Sequence, residues 1–416
     1  MPQVLSAILR IQMNYPSLKS FVLRSKLCLL LLLGCSLQSQ ADGLKADKVQ
    51  WHGFVSQGLI QAPETNFVNL DDSISAELTD LGVNMSWALS DNLRLAGQVV
   101  YLDGGRRYVK GTRLDYLFLD WTLHNDFDWQ LDMFIGRFKN QHWLYSATRD
   151  VPFTRNAIVL PQSVYFDSFR DIAVGSDGLA FKVTRNTSIG EIELNWSWGS
   201  TNLSKEQSQI LLSTLAQGDA EQDYVHQASL FWRPEQSAWQ LGVSLLDSDF
   251  SYEKADQDYY SDGAMTVQRV MFNGRYAAEY WELSSEWVQE RMDITDFYAP
   301  GFKRNSFSQG WYLQGRYNLL PRTWALLSVD LFDLDKDDRS GRKFSESTGG
   351  LVPAYFGYQD ELTFGLTYDI KDNLRLTMEH HWVKGTARLA YPVMPDLQHN
   401  QSEYWQMWAM QLMYWF

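Results

Sequence analysis

The chain carries seven histidines, His52, His124, His142, His226, His380, His381 and His399. None stands in the His-Glu-x-x-His spacing that would set two imidazoles on one helix face around a metal. No Gly-x-Ser-x-Gly elbow presents a serine nucleophile, and no Gly-rich phosphate loop leads into a lysine. Asp333, Asp335, Asp337 and Asp338 open like a calcium loop, but position six is Asp338 where the turn requires Gly, and position twelve is Phe344 where a bidentate Glu belongs. A solvated acidic run accounts for them better. The residues therefore offer no catalytic centre, no cofactor site and no metal site.

Charge offers more. Between Ser146 and Asp171 the sequence places Arg149, Asp150, Arg155, Asp167, Arg170 and Asp171 among Val151, Phe153, Ile158, Val159 and Leu160. Three cations and three anions in so apolar a segment can do electrostatic work in two ways: facing a solute path, or pairing with one another to fix the segment's shape. Both arrangements are open at this point. Either one needs a surrounding wall.

That wall is written in a period of two. Leu81, Val83, Met85, Trp87 and Leu89 alternate with Gly82, Asn84, Ser86 and Ala88, which is a strand with one greasy and one small or polar face. The pattern returns in Trp239, Leu241, Val243 and Leu245, in Trp311, Leu313, Gly315 and Tyr317, and in Leu362, Phe364, Leu366 and Tyr368. Short turns at 90–92, 124–126, 185–187, 234–236, 274–275, 320–322 and 371–373 alternate with longer links near 62–73, 104–112, 146–171, 202–223, 249–263, 294–306, 337–358 and 389–403. The links imply an all-β chain of about 16 strands, within a range of 14 to 18. An even strand number with tight turns on one side and long loops on the other is the plan of a transmembrane antiparallel β-barrel. Trp121 and Trp129, Trp232 and Trp239, and Tyr317 and Trp324 flank three of the turns, where amphipathic rings form an interfacial girdle. A soluble β-sandwich would share the alternation but not the one-sided loops. A short helix is expected between Ser204 and Gln222.

Residues 1–41 behave differently. Arg24 and Lys26 precede an apolar stretch from Leu27 to Leu37, and Ser39, Gln40 and Ala41 supply small residues for cleavage, as in a secretory signal peptide. The stretch is too short to span a bilayer as a helix. The start codon could be Met1 or Met13. Both cysteines, Cys28 and Cys35, lie here, so residues 42–416 hold neither a disulfide nor a thiolate metal site. Leu32, Leu33, Gly34 and Cys35 fit a lipoprotein box poorly. Of the 36 Lys and Arg, four (Arg10, Lys19, Arg24 and Lys26) lie in the leader, so against 50 Asp and Glu the remaining chain carries −18. Phosphate backbones would repel it, which excludes nucleic acid as a partner.

The chain ends on a strand face of Trp408, Met410, Leu412, Tyr414 and Phe416. In this it resembles Gram-negative outer-membrane porins, whose closing strand ends in Phe and is read by the barrel-assembly machinery. Gly136 to Lys139, Thr148 to Arg155 and Leu160 to Ser163 are similar to the strand-to-loop passage of the phosphate-selective porin group, without that group's basic ladder. The resemblance implies a water-filled channel for small hydrophilic solutes and ions, a third loop (146–171) folded inward as a constriction, and a homotrimer. It also implies a location in the outer membrane among lipid and lipopolysaccharide. The acidic run Asp247, Asp249, Glu253, Asp256, Asp258 and Asp262 is expected, as a general matter, to share divalent cations with lipopolysaccharide. Parity places Arg94, Lys182, Arg316 and Arg375 inside with Asp132, Glu191, Glu193, Glu282, Glu286 and Glu379, and Arg94 is expected to face the third loop. A substrate-selective channel for an anion or a sugar is the alternative; an outer-membrane hydrolase or an adhesin lies further off.

A closing strand must pair before its backbone can enter lipid, since each unsatisfied group costs several kcal/mol there. Deleting Phe416, or replacing Tyr414 and Leu412 by Asp, should therefore strand the protein in the periplasm, as fractionation would show; normal surface levels would discount the terminal signal.

Overall fold

The computed structural model describes residues 48–170, 175–297, 299–389 and 396–416. The leader with its cysteines, and Asp171, lie outside the described residues. Sixteen antiparallel strands follow in order: β1 (Val49–Gln61), β2 (Thr79–Ala88), β3 (Leu93–Asp103), β4 (Gly111–Asn125), β5 (Trp129–Lys139), β6 (Gly175–Thr187), β7 (Gly190–Ser200) and β8 (Asp219–Pro234). They continue with β9 (Trp239–Glu253), β10 (Gly263–Ala277), β11 (Trp281–Thr295), β12 (Lys303–Leu320), β13 (Thr323–Asp333), β14 (Tyr358–Lys371), β15 (Leu374–Gly385) and β16 (Tyr404–Trp415). Each pairs with its sequence neighbours, and β1 pairs with β16 to close the barrel.

The closure runs from Phe54 opposite Trp415 to Gln61 opposite Trp408. It extends to the last residue: Phe416 N donates to Gly53 O at 3.0 Å and Gly53 N to Phe416 O at 3.1 Å. No edge is left for another chain to pair with.

Alternation fixes which face is which. Leu245, Leu327 and Phe272 point outward and are 57%, 55% and 53% exposed, while inward Ser244, Ser328 and Asn273 are buried. A sandwich would bury the greasy face; this barrel presents it to the outside, as hydrocarbon requires. At the turn side Trp239 meets Tyr276 edge to face and Tyr276 stacks on Trp281, with ring centroids 5.0 and 4.9 Å apart, and Trp232 Nε1 donates to Ile189 O in the adjoining turn at 2.9 Å. These rings have an apolar body and a wet edge, which is what an interface selects.

Three boundaries differ from the sequence reading. The turn expected at Gly274 and Arg275 lies instead at 278–280, where Ala278 N donates to Trp281 O at 2.8 Å. Gly274 and Arg275 continue β10 because both of its flanking strands pair with them, through Ser285 and Ser284 on one side and Leu241 and Gln240 on the other; a lone Gly marks a turn only when no ladder overrides it. The helix after Ser204 is α1 (Lys205–Leu212), started by a capping box between Ser204 and Gln207 and ended at Ser213, whose φ is 150°. The third loop begins earlier than the charged segment, at Asn140, and its described part runs to Arg170 before β6. A second short helix, α2 (Arg342–Ser347), sits in the loop after β13.

Leu366, on β14 between Ala325 and Met378 of its neighbours, faces outward near the middle of the apolar band. Its replacement by Arg should cost about 2–4 kcal/mol in refolding into vesicles, as expected for a cation near the midplane. The adjacent Thr367 faces inward, and Thr367→Arg should cost far less; equal losses would mean that the two faces are misassigned.

Candidate functional site

The third loop turns into the barrel and crosses it. On one side Trp143, Tyr145, Leu160, Val164 and Tyr165 form a buried cluster with Met271, Val288 and Tyr312 of β10, β11 and β12. On the other, Ile158 and Val159 pack with Ile60 of β1, Val383 of β15 and Met407 and Ala409 of β16, and Phe153 stacks on Trp415 with centroids 4.9 Å apart. The apolar residues that looked out of place in a loop thus dock on the inner wall, where burial of such side chains is worth roughly 1.5–3 kcal/mol each. Gly310 on β12 permits the approach, for a Cβ there would meet Ser163 O at 2.7 Å.

Docked backbone needs partners, and inner-wall acids supply them. Glu286 accepts from Leu144 N at 2.9 Å, Tyr165 Oη at 2.5 Å and Tyr312 Oη at 2.8 Å. Glu379 accepts from Ile158 N at 2.6 Å and Val159 N at 3.3 Å, and Asp330 accepts from Ser163 N at 3.1 Å. Asn156 donates to Glu282 at 2.9 Å and accepts from Arg316 at 2.8 Å. Behind Glu379, the fully buried His381 lies 3.3 Å from it and 2.6 Å from Glu361. Inward carboxylates that parity marked as lumen charges are, in this half of the barrel, clamps on the loop.

The charges of the loop itself are paired and buried. Arg149 donates to Asp167 at 2.9 Å, Arg170 to Asp150 at 2.7 Å, and Arg155 to Asp80 of β2 at 3.1 Å; all five loop residues are less than a tenth exposed. They do not line an open surface, because each cation meets a carboxylate that needs it once both have left water. Asp150 also receives Lys139 at 2.5 Å, and Lys139 is ion-paired with Asp115. Burial alone would raise the Asp150 carboxyl, but Arg170 and Lys139 outweigh it and hold the group well below its ordinary 3.8. Burial pushes Arg149 down to about 10, against the pull of Asp167, which leaves it a cation at neutral pH. Asp80, Asp115, Lys139 and Asp330 were not singled out in the sequence. Inward parity signals Asp80 and Asp330, whereas Asp115 is the extra residue of a bulge in β4 and Lys139 follows inward Phe138 at the end of β5, so alternation signals neither.

The other half of the lumen is left open. Beside β2 to β8 lies a cavity of about 320 Å³ bordered by Asn84, Ser86, Arg94, Tyr116, Lys139 and Gln227. Across Lys139, on the long-loop side, a second space of about 110 Å³ is lined by Arg113, Arg170 and Gln207 among others. Arg94 pairs with Asp120 on the adjacent strand at 3.1 Å rather than with the loop. It belongs to a series of ion pairs near the turn-side mouth that includes Lys182 with Glu193 at 3.4 Å, Arg233 with Glu191 and Glu193, Arg275 with Glu282 at 2.9 Å, and Arg375 with Asp369 at 2.6 Å. Asp132 accepts from Thr122 Oγ1 at 2.9 Å. Cations and anions alternate there, so neither sign dominates.

The acidic loops shape backbone. Asp338 accepts from Phe344 N at 2.8 Å, and Asp258 accepts from Gly218 N at 2.7 Å and Tyr252 Oη at 2.7 Å. Among the described residues no group of three His, Cys, Asp or Glu is arranged to hold a metal ion. Outward His380 packs on Trp382, 4.5 Å between centroids, and bonds Gln406 at 3.2 Å.

No family model and no curated protein sequence matches the chain. Solved structures do. OmpT of Vibrio cholerae aligns over 90% of this chain and 99% of its own with 11% identity and a TM-score of 0.54. An anion-selective porin from Comamonas acidovorans aligns over 88% and 99% with 11% identity and a TM-score of 0.53, and OprB of Pseudomonas putida over 89% and 94% with 9% identity and a TM-score of 0.53. The chain therefore has the 16-strand barrel architecture of the porins.

Glu286→Ala would leave three buried donors without an acceptor, at about 1–3 kcal/mol each, and should free the loop for protease cleavage within 141–165 while the barrel core survives. Acid should act later than intuition suggests. A carboxyl whose docked pKa is depressed contributes fully above its undocked value of 3.8 and loses that contribution only as pH falls through the docked one. Loop protection mediated by Asp150 should therefore hold from pH 7 down to pH 4 and fail below; loss already at pH 5 would show that Asp150 is not the latch.

Proposed function

We propose that the protein is an outer-membrane channel that passes small hydrophilic solutes and ions by passive diffusion, with no catalytic step. The observation that carries this reading is the pair of unfilled spaces on either side of the third loop's anchor, both bordered by Lys139. The loop fills neither, and wall residues such as Asn84 and Ser86 keep their hydration only if water fills the bore. The route then runs along β2 to β8, and its narrowest electrostatic point is Lys139 with Asp115 and Asp150. Arg149, Asp150, Arg155, Asp167 and Arg170 take part by fixing where the loop sits. Arg94 acts at the turn-side end.

The apolar outer band and the aromatic girdle suit lipid below and lipopolysaccharide above, and the terminal face of Trp408, Met410, Leu412, Tyr414 and Phe416 suits recognition by the barrel-assembly machinery. Residues 1–41 would direct export and be removed. A trimer form of Vibrio cholerae OmpT has been solved, and a homotrimer is the assembly proposed for this chain.

Purified protein in planar bilayers should give discrete conductance steps. Deleting residues 150–165 should raise the conductance, and Lys139→Gln should move the reversal potential in a salt gradient toward cations, because a charge in a narrow passage is screened less than one at the rim. An absence of steps from folded protein would sink the channel reading. Steps with conductance and reversal potential unchanged in both variants would move the constriction to another element.

A further inference from the structure

The open cavity is not uniformly polar. Tyr116 and Phe118 of β4 and Phe134 of β5 face it with their rings in one cluster: centroids lie 5.6 Å apart between Tyr116 and Phe118, and 5.3 Å apart, edge to face, between Phe118 and Phe134. All three are partly exposed. Rings left against water in a bore that needs only polar residues are unfavourable unless something with an apolar face covers them. Across β6, whose inward Ala180 is small enough to leave depth, β7 and β8 present Asn195 and Gln227 to the same space. Gln227 is 3% exposed and its Oε1 has no hydrogen-bond partner. A buried amide oxygen of this kind awaits a donor.

Charge narrows the ligand class further. The two cations bordering the cavity are already neutralised, Arg94 by Asp120 and Lys139 by Asp115 and Asp150. An organic anion would find no cation without a carboxylate partner. What fits is a neutral molecule with a flat apolar face for the ring cluster and hydroxyl groups for the amide side, since amides both donate and accept. A linear polyol offers the hydroxyls without the face.

We propose that this cavity is a binding site for a neutral pyranose sugar, stacked on Tyr116, Phe118 and Phe134 and hydrogen-bonded by Gln227 and Asn195. The site rests on the channel reading for its role, because a weak site in the bore would let the passage favour such solutes over others of equal size. Lys139 borders the same cavity, but the site differs from the constriction there in its chemistry.

The test uses the full folded protein with methyl glucopyranoside, sorbitol and benzoate as probes. In planar bilayers methyl glucopyranoside should add concentration-dependent current noise, and saturation-transfer NMR on detergent-folded protein should show its ring protons in contact. Sorbitol and benzoate should do neither at the same concentration. Phe118→Ala and Gln227→Leu should each weaken the sugar's apparent affinity about ten-fold, the loss expected for a stacking contact or a buried hydrogen bond, and Ala180→Leu should abolish it by filling the space. Far-UV circular dichroism checks that each variant is folded. Conductance without sugar binding, benzoate binding as well as the sugar, or sugar binding indifferent to all three substitutions would overturn the site while leaving the channel. NMR contact in a protein that gives no conductance would keep the site and overturn the channel.

Discussion

A sheet that crosses hydrocarbon can leave no backbone group unpaired, and the antiparallel join between β1 and β16 is where this chain meets that condition. The join runs to the terminal residue, Phe416, which exchanges both backbone hydrogen bonds with Gly53. Everything else in the molecule is a consequence of having closed a ring of sixteen strands. Closure forces a greasy exterior, because lipid surrounds it. It also forces an interior too wide for facing side chains to meet, which has to be filled or hydrated.

The chain does both, on opposite sides. From β10 to β16 and on to β1 the wall is covered by the third loop, whose apolar side chains settle on Met271, Val288, Met407 and their neighbours while Glu286, Glu379 and Asp330 take up its backbone N–H groups. From β2 to β8 the loop touches the wall at fewer points, among them Asp80 of β2, Val100 and Leu102 of β3 and Ser229 of β8, and a cavity remains. The loop's own charges follow from this placement: once the segment has left bulk water, Arg149, Arg155 and Arg170 are tolerable only with Asp167, Asp80 and Asp150 against them. Position, not the count of charges, decides what they do.

The off-centre cavity also sets which residues would line the proposed passage. In the proposed channel the loop, docked on the wall from β10 to β1, presents to the bore mainly its edge near Lys139. A solute in the proposed channel would meet the ring cluster on β4 and β5, the amides on β7 and β8, and the alternating ion pairs of the turn-side mouth. The net charge of −14 for the whole chain has little influence there, since charges on the distal loops are screened within about 8–10 Å.

The sequence by itself determined the barrel. Its period-two pattern, seven tight turns and terminal aromatic strand are local or nearest-neighbour features, and a one-residue slip would turn every greasy side chain inward. It also marked residues 146–171 as the segment that could not be an ordinary surface loop, because Ile158, Val159 and Leu160 had no reason to be wet. What it left open was how the six charges are spent, and whether Arg94 meets the loop. Those depend on contacts between residues far apart in the chain, such as Arg155 with Asp80 or Ile158 with Glu379. Strand parity sends a side chain to the lumen, but only the path of the loop through that lumen decides which inward carboxylate becomes a clamp, which cation is neutralised, and which stretch of wall remains for a solute.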